Sequence, residues 1–395
     1  MSFSIIGGLE RQLISQPQEV RFCTRCVVSN QRPRIVFDAE GVCSACRFAD
    51  EKQHAIDWMA RQIELENLLS KHRSQDGSWD VIVPCSGGKD SAYVAHRLKV
   101  KYGMHPLTVT WAPFRYTDIG RRNFIEFIDA GFNNLTAHPN GKLHRKLARL
   151  CFEELGDAWQ PFAYGQMAYA FHIALRLGVN LVFFGENGEA EYGGDPKNNY
   201  KPFMPLEDWR ELYFKGTSID DLIEFGLRSK DYLNGDDFCE SDLTFYRPPH
   251  SLGTGIQMHW FSYYEKWVPQ ENYYYASQHT GFQPNPGRSE GTFSKYASID
   301  DCFDGFHFYM AFIKFGIGRA TSDAAHEIRD RHLTRGEGVV LVHRYDGEFP
   351  QNHFADFLTY LDITEAMFWK VVDHYRSPHI WENTASGWKL RHQVQ

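Results

Sequence analysis

Short apolar runs alternate with stretches of helical periodicity between residues 79 and 184. A continuous apolar run of four to eight residues predicts a buried strand, whereas apolar residues spaced three and four apart predict an amphipathic helix. Strands that alternate with helices pair in parallel through crossover connections. We therefore predict an α/β fold with an open, mostly parallel sheet and helices on both faces. The predicted strands are 80–84, 106–111 and 180–184, and the predicted helices are 91–102, 121–130 and 164–177.

The pattern outside this core changes twice along the chain. Ile56, Met59 and Ile63 repeat at helical spacing and predict a helix that ends near Gly77. Between residues 192 and 300 the alternation stops, and glycine, proline and aromatic residues dominate. Further helices are predicted at 306–315, 322–331, 354–361 and 363–375. These changes divide the chain into four regions. Residues 1–75 contain an N-terminal arm, a cysteine-rich module and a connecting helix, and residues 76–200 form the core. Residues 201–300 are an aromatic-rich region for substrate binding or an interface, and residues 301–395 complete the active site and end in helices.

Composition narrows the classes of protein that fit this sequence. The chain has 395 residues, of which 43% are hydrophobic, enough for one large or two moderate packed domains. No stretch approaches the roughly 20 apolar residues that cross a bilayer, and no signal peptide is evident, so we expect a cytoplasmic protein without a membrane partner. The net charge of -8 provides no cationic field, which makes nucleic acid a disfavoured partner.

Four of the eight cysteines form two pairs near the start of the chain. Cys23, Cys26, Cys43 and Cys46 have the spacing C-x2-C-x16-C-x2-C, which is close to that of tetrahedral zinc sites built from two knuckles. We predict a structural Zn²⁺ that folds this module and has no open position for catalysis. An iron–sulfur cluster or a redox pair that delivers sulfur is the alternative interpretation.

A glycine-bearing turn follows the first predicted strand of the core. Adjacent glycines allow backbone amides to approach an anion, and the N-terminus of the next helix adds free N–H groups and a positive dipole end. A phosphate is therefore expected here, with a positive charge from Lys89 and with Asp90 either holding Mg²⁺ or capping the helix. The residues of this predicted phosphate loop are Ser86, Gly87, Gly88, Lys89, Asp90 and Ser91.

A second candidate segment follows the strand predicted at 180–184. Ligands of open α/β folds bind at the carboxyl ends of the strands, where this segment lies. Gly185, the first residue of this segment, is predicted to contact a bound nucleotide. Glu186, Asn187 and Glu189 are candidates to hydrogen-bond the substrate or ribose hydroxyls, or to hold a metal, although a polar turn with solvated carboxylates has the same pattern.

Two cations farther along the chain are candidate catalytic residues, together with Lys89 and Asp90. Lys314 and Arg319 lie five residues apart around two glycines. The charge that develops on a departing pyrophosphate needs such donors. A helix end with solvated bases would have the same appearance.

The phosphate loop resembles the S-G-G-x-D-S signature of PP-loop ATP pyrophosphatases, because all five fixed positions match. It does not have the longer spacing of the G-x-x-x-x-G-K-[ST] loop. The resemblance implies the adenine nucleotide alpha hydrolase-like fold, with ATP and Mg²⁺ as cofactors. It also implies that the β- and γ-phosphates rest in this loop and that adenine lies against the second strand, where Thr110 and Trp111 would contact it.

Four features together resemble the N-acetyl sugar amidotransferases of bacterial surface-glycan biosynthesis, over residues 21–345. They are the cysteine pairs, the phosphate loop, the GENGE segment (185–189) and the KFGIGR segment (314–319). This resemblance implies that ATP and ammonia convert an acetamido group of a nucleotide-linked or sialic-acid-like sugar into an acetamidino group, for lipopolysaccharide or flagellin glycans. Residue 2 is Ser and no G-x-C-x-G elbow is present, so we expect a separate glutaminase subunit to supply ammonia.

Two other functions fit parts of the pattern. A tRNA thiolation enzyme also combines a PP-loop with cysteine pairs, and a role for Cys151 or Cys302 would favour it. The acidic charge and the lack of a downstream cysteine pair count against it. A non-catalytic zinc-dependent scaffold is the other alternative, and the intact Lys89, Asp90, Lys314 and Arg319 count against that one.

Overall fold

The computed structural model describes residues 7–203, 208–210, 213–229, 231–249 and 255–395. Its central feature is a five-stranded parallel sheet with strand order β3-β2-β1-β4-β5. The α/β fold with a parallel sheet is therefore confirmed. The strands are β1 Val81–Pro84, β2 Pro106–Trp111, β3 Asn134–Ala137, β4 Leu181–Phe184 and β5 Gln257–Trp260.

Helices follow or precede each strand of this sheet, and none of those in the described ranges has both the length and the apolar composition to span a bilayer. A separate antiparallel hairpin lies near the end of the chain, with β6 at Trp381–Thr384 and β7 at Gly387–Leu390. The helices are α1 Ser44–His54, α2 Trp58–His72, α3 Lys89–Val100, α4 Asp118–Asp129, α5 Gly141–Leu155, α6 Gln160–Leu177, α7 Gly188–Tyr192, α8 Ile219–Arg228, α9 Phe261–Tyr264, α10 Pro269–His279, α11 Asp304–Phe315, α12 Arg319–Arg329, α13 Arg335–Tyr345, α14 Phe354–Leu361 and α15 Glu365–His374.

Both faces of the sheet are buried, because successive side chains of a strand point to opposite sides. In β1, Ile82 packs into a core with α5 and α6, whereas Val81 and Val83 pack on the other face against α2, α3 and α10. Val182 of β4 joins the first core, and its neighbours Leu181 and Phe183 join the second. This two-sided burial explains why these strands read as continuous apolar runs.

Two strands of the sheet have no counterpart in the sequence-based prediction. The edge strand β3 (NLTA) is partly exposed and polar, so it lacks the apolar run of a buried strand. The strand β5 lies inside the region where no alternation was predicted, and it pairs in parallel with β4 from Leu181↔Gln257 to Phe184↔Trp260. The aromatic-rich region thus contributes one edge of the sheet rather than a separate layer.

The strand order creates one position where the chain turns in opposite directions. From β1 the chain continues to β2 on one side, and from β4 it continues to β5 on the other side, yet β1 and β4 are neighbours with Ile82 opposite Val182. A crevice opens outside the carboxyl ends of two such strands. The predicted phosphate loop follows β1 and the GENGE segment follows β4, so both flank this crevice.

Candidate active site

The phosphate loop begins where β1 ends, and its conformation depends on Gly87. The φ angle of Gly87 is +84°, and a Cβ atom at this position would lie 2.6 Å from the Cα atom of Phe124. Gly88 has ordinary extended backbone and is the N-cap residue of α3. The turn therefore directs the free N–H groups at the start of α3 toward the crevice, which is the arrangement that binds phosphate.

Gly87→Ala should reduce the free energy of unfolding by about 2–4 kcal/mol, since the substitution combines left-handed backbone strain with a backbone clash. Gly88→Ala is the matched control. At that position φ is -67° and the nearest atom to a new Cβ is Ser86 Oγ at 3.5 Å, so the free energy of unfolding should change by no more than about 1 kcal/mol. Urea denaturation of both variants measures the difference. Equal stabilities would contradict the assigned loop conformation.

A cavity of about 840 Å³ opens at the crevice. This volume is within the range of sites for cofactors and small-molecule substrates, and it exceeds the needs of a phosphate group alone. An adjoining cavity of about 140 Å³ is lined by the two loop glycines. Of the residues predicted for the site, the large cavity is lined by Ser86, Lys89, Asp90, Ser91, Thr110, Trp111, Glu186 and Arg319.

The phosphate end of the cavity contains more carboxylates than cations. Lys89 pairs with the neighbouring Asp90, whose other oxygen accepts a hydrogen bond of 3.0 Å from Asn272. Ser86 Oγ donates to Asp300 at 3.0 Å. Burial, and next the charge of Asp304, raises the pKa of Asp300. A cavity wall of this composition favours a bound cation, which would relieve the repulsion among the carboxylates.

Glu186 lines the same end of the cavity. Burial, with a further contribution from the charge of Asp90, raises the pKa of Glu186 to about 7. A carboxylate in this state is poised to lose its proton when a cation or a cationic group binds.

Glu186→Gln should stabilise the empty protein relative to the wild type at pH 8 but not at pH 5. The folded-state pKa of Glu186 lies above its ordinary value of 4.5. The unfolded chain therefore releases this proton first, and stability falls as the pH rises toward about 7. The difference in unfolding free energy between the variant and the wild type should grow by about 1–3 kcal/mol between pH 5 and pH 8. Denaturation without ATP or metal at the two pH values measures this difference, and a pH-independent difference for Glu186→Gln would contradict the assignment.

Arg319 is the first residue of α12 and forms the wall opposite the phosphate loop. Its guanidinium pairs with Asp323 at 3.0 Å and lies over the ring of Phe308, 4.5 Å from the ring centre. Asp346 accepts hydrogen bonds from the backbone N–H groups of Gly318 and Thr321, which fixes the start of the helix. Arg319 is thus a rigidly held cation that faces the cavity, as predicted for a residue that contacts phosphate.

Lys314 does not reach the cavity, which corrects its assignment as a catalytic residue. Only 2% of its side chain is exposed, and its ammonium pairs with Glu10 and donates to the Leu155 carbonyl at 2.7 Å. Lys314 lies two helical turns beyond the cavity residue His307 on α11, a distance of roughly 10 Å along the helix. The chain then reverses before Arg319, so only the second cation of the KFGIGR segment returns to the site.

The GENGE segment also contributes only one of its predicted residues to the cavity. Asn187 caps α7 and donates to the Asn198 carbonyl at 2.9 Å, whereas Glu189 is buried and pairs with Arg34 at 2.6 Å. Gly185 lies behind the cavity wall, where an added Cβ would be 3.0 Å from Trp267. These three residues maintain the loop, and only Glu186 of the segment lines the cavity.

Aromatic side chains form the other end of the cavity, at the carboxyl end of β2. Trp111 packs directly on the backbone of α6 at Gly165. A Cβ atom added to Gly165 would lie 2.0 Å from the Trp111 ring, so only glycine fits there. Trp159, Phe162 and Tyr169 continue this wall. The backbone at this strand end is partly engaged, since the Val109 carbonyl accepts a hydrogen bond of 2.8 Å from Cys85. Ring surfaces are therefore more available than backbone groups to contact a base or an apolar part of a substrate.

Several cavity residues were not identified from the sequence. Tyr192, Tyr296, Asp300, Asp304 and His307 all line the cavity. Asp300 and Asp301 lie shortly before α11 and Asp304 is its first residue, and this acidic cluster in the sequence was the available signal.

The four paired cysteines come together as predicted. Their Sγ atoms lie within 4.8 Å of one another, with Cys23 and Cys46 3.9 Å apart and Cys26 and Cys43 3.7 Å apart. A tetrahedral Zn²⁺ with bonds of about 2.3 Å requires sulfur atoms about 3.8 Å apart. The cluster fits one tetrahedral ion, and its compactness disfavours a cluster of several iron atoms.

The cysteine module packs against a segment that contributes to the cavity wall. Arg32 donates to the Gly193 carbonyl at 2.8 Å, and Ser44 donates to the Gly194 carbonyl at 3.2 Å. Lys52 of α1 pairs with buried Glu191 at 2.8 Å. These contacts hold the segment that follows Glu186 and includes Tyr192. The module therefore supports this segment in addition to forming a candidate metal site.

The remaining cysteines are placed unfavourably for sulfur transfer. Cys151 is buried and Cys302 is half-buried, and neither lines the cavity. Cys85 does line it, but burial raises the pKa of its thiol to about 11. A thiol with this pKa is a poor nucleophile at neutral pH. The alternative of a thiolation enzyme receives no support from this arrangement.

Comparison with known families bears on the C-terminal part of the chain. Residues 290–395 match the family described as LPS biosynthesis protein WbpG-like, C-terminal domain. No curated protein matches the chain. The matched segment supplies the cavity wall from Phe293 to Leu333, including Asp300, His307 and Arg319. The chain thus contains a region similar to a C-terminal domain of LPS biosynthesis proteins.

Proposed function

We propose that this protein is an ATP-dependent amidotransferase that converts an acetamido group of a sugar into an acetamidino group, with release of AMP and pyrophosphate. The observation that carries the proposal is a single cavity formed by two parts of the chain. One part is a phosphate-type loop at the switch point of a parallel sheet, and the other is a wall similar to LPS biosynthesis proteins. A nucleotide site and a glycan-related wall in one cavity fit a reaction between ATP and a sugar.

The phosphate end has the groups needed to bind a triphosphate. Backbone N–H groups at the start of α3 and the hydroxyls of Ser86 and Ser91 would contact the β- and γ-phosphates. Lys89 and Arg319, on opposite walls, would stabilise the charge on departing pyrophosphate. Asp90 and Glu186 would hold Mg²⁺, because both line this part of the cavity and the charge of Asp90 contributes to the raised pKa of Glu186. The ion would neutralise phosphate charge when bound.

The chemistry requires activation because the amide carbon is too electron-rich for attack by ammonia. The amide oxygen attacks the α-phosphorus, the bond to the β-phosphate oxygen breaks, and pyrophosphate leaves. Ammonia then adds to the carbon of the adenylated imidate, and AMP departs with the electrons of the C–O bond to leave an amidine. The protein positions the two substrates in line and stabilises phosphate charge.

Ammonia would come from a separate glutaminase that docks on this chain. Cys85 lies at the cavity but has a raised pKa, and the only exposed cysteine of the described residues, Cys239, is outside the cavity lining. We therefore expect the isolated protein to use ammonium far better than glutamine. Equal use of the two by the purified chain would contradict a separate glutaminase.

The direct test is mass spectrometry of acetamido sugars, free and nucleotide-linked, after incubation with the protein, ATP, Mg²⁺ and ammonium. Replacement of oxygen by NH lowers the sugar mass by about one unit, as the amide-to-amidine reaction requires. AMP and pyrophosphate should appear in equal amounts and only when the sugar is present. Sugar-dependent formation of ADP, or of AMP without any change in sugar mass across the panel, would contradict the proposal.

A further inference from the structure

A histidine–carboxylate pair lies at the cavity, apart from the phosphate loop. His307, in the first turn of α11, has Nδ1 at 3.0 and 2.9 Å from the two oxygens of Asp157. Asp157 is buried, whereas 28% of the His307 side chain remains exposed and the residue lines the cavity. The roles assigned above to ATP-binding groups leave this pair unused.

Asp157 is held firmly in its ionised form. Its carboxylate accepts a hydrogen bond of 3.0 Å from the backbone N–H of Trp159, and it also pairs with Lys215. Burial opposes ionisation, but the charges of His307 and Lys215 outweigh it and lower the pKa of Asp157 well below its usual range. An ionised carboxylate only accepts hydrogen bonds, so Nδ1 of His307 must carry the hydrogen.

The other ring nitrogen of His307 is available to a ligand. Nε2 lies across the ring from Nδ1 and therefore points away from the buried carboxylate. Within the part of the chain that the structure describes, no protein group forms a hydrogen bond with Nε2. In the neutral ring this atom has a free lone pair, which is the arrangement of a general base oriented by a carboxylate.

His307 lies at the boundary between the two ends of the cavity. Asp304 is three residues earlier on the same helical face. Its charge contributes to the raised pKa of Asp300, which accepts a hydrogen bond from Ser86 of the phosphate loop. On its other side the ring of His307 is 6.0 Å from that of Trp159, where the aromatic end begins. An acyl group bound beside the α-phosphate of ATP would therefore lie close to this residue.

We propose that His307, oriented by Asp157, is the general base of the ammonia-transfer step, an inference that rests on the function proposed above. The adenylated imidate retains the amide hydrogen on the sugar nitrogen and is cationic. When ammonia adds to its carbon, a C–N bond forms, the π electrons of the C=N bond move onto the sugar nitrogen, and the new nitrogen carries three hydrogens and the positive charge. Nε2 of His307 takes one of these protons. The C–O bond to AMP then breaks with its electron pair on AMP, and the product is an amidinium ion. His307 passes its proton to solvent.

The test separates the two halves of the reaction in the full-length protein. Sugar-dependent exchange of labelled pyrophosphate into ATP reports adenylation, and the change in sugar mass reports ammonia transfer. His307→Ala should retain pyrophosphate exchange but form amidine about 10²–10⁴-fold more slowly. Added imidazole should restore part of the loss. His307→Gln, which preserves a polar side chain of similar size, should show the same division.

His353→Ala is the matched control, because His353 also pairs with an aspartate, Asp356 at 3.8 Å, but does not line the cavity. Both half-reactions should be unchanged in this variant. Amidine formation at the wild-type rate in His307→Ala, or an equal loss of both half-reactions without rescue by imidazole, would overturn the inference. A wild-type protein that shows neither half-reaction would instead refute the proposed function.

Discussion

Lys89→Met should reduce sugar-dependent pyrophosphate release by at least about 10²–10³-fold. The loss of one preorganised donor at a site of developing charge typically has an effect of this size. Lys89 is the cation of the phosphate loop, and without it Asp90 would lack its ion-pair partner beside Glu186. The free protein should remain folded, because the side chain of Lys89 lines a cavity and supports no core. A continuous assay of released pyrophosphate measures the rate.

Lys99→Met provides the control within the same helix. Lys99 lies at the far end of α3 and bonds the Gly131 carbonyl on the surface. This variant should release pyrophosphate at the wild-type rate. If Lys89→Met does so too, then the triphosphate does not bind in the loop and the proposed function loses its basis.

Cys46→Ser should release the metal and destabilise the whole protein. Structural zinc contributes directly to folding, and loss of a tetrahedral site belongs to the class of substitutions that cost more than about 4 kcal/mol. The cysteine module packs against α12 through Ala324 and Ala325, and it also holds the loop after Glu186. We expect a fall in melting temperature of about 5 °C or more, together with loss of activity.

Cys239→Ser is the matched control for this prediction, because Cys239 is an exposed cysteine outside the cluster. Metal analysis should find one Zn²⁺ per chain in the wild type and in Cys239→Ser, and well under one in Cys46→Ser. An unchanged melting temperature in Cys46→Ser would show that the metal does not support the fold. Full zinc content in that variant would show that the four cysteines are not its ligands.

The parts of the fold that could be predicted from the sequence are those that a short, contiguous pattern of residues specifies. The strand β2 was predicted at its observed residues because a short run of apolar and β-branched residues fits one fully buried strand. The phosphate loop was found for a similar reason, since its glycines, hydroxyls and charges are contiguous. In contrast, β5 has only four residues and takes its place by pairing with β4, which a local pattern does not reveal.

The site was predicted less completely than the fold, because half of it depends on distant parts of the chain. Lys314 and Arg319 looked equivalent in the sequence, but the reversal between α11 and α12 sends one into the interior and the other into the cavity. The partner of Lys314 is Glu10, and no spacing rule connects residues so far apart. His307 and Asp157 likewise meet only through tertiary packing.

The assembly of the cavity from remote segments has a consequence for protein synthesis. Roughly 200 residues separate Ser91 from the wall that begins at Phe293. At about 5–20 residues per second, the ribosome needs about 10 to 40 s to make this stretch. During that interval the nascent chain has the phosphate loop but lacks the wall that begins at Phe293, and one edge of β4 remains unpaired until β5 emerges. A ligand that needs both walls of the cavity therefore cannot stabilise the partly made protein, and chaperones are expected to protect the open sheet until β5 has emerged.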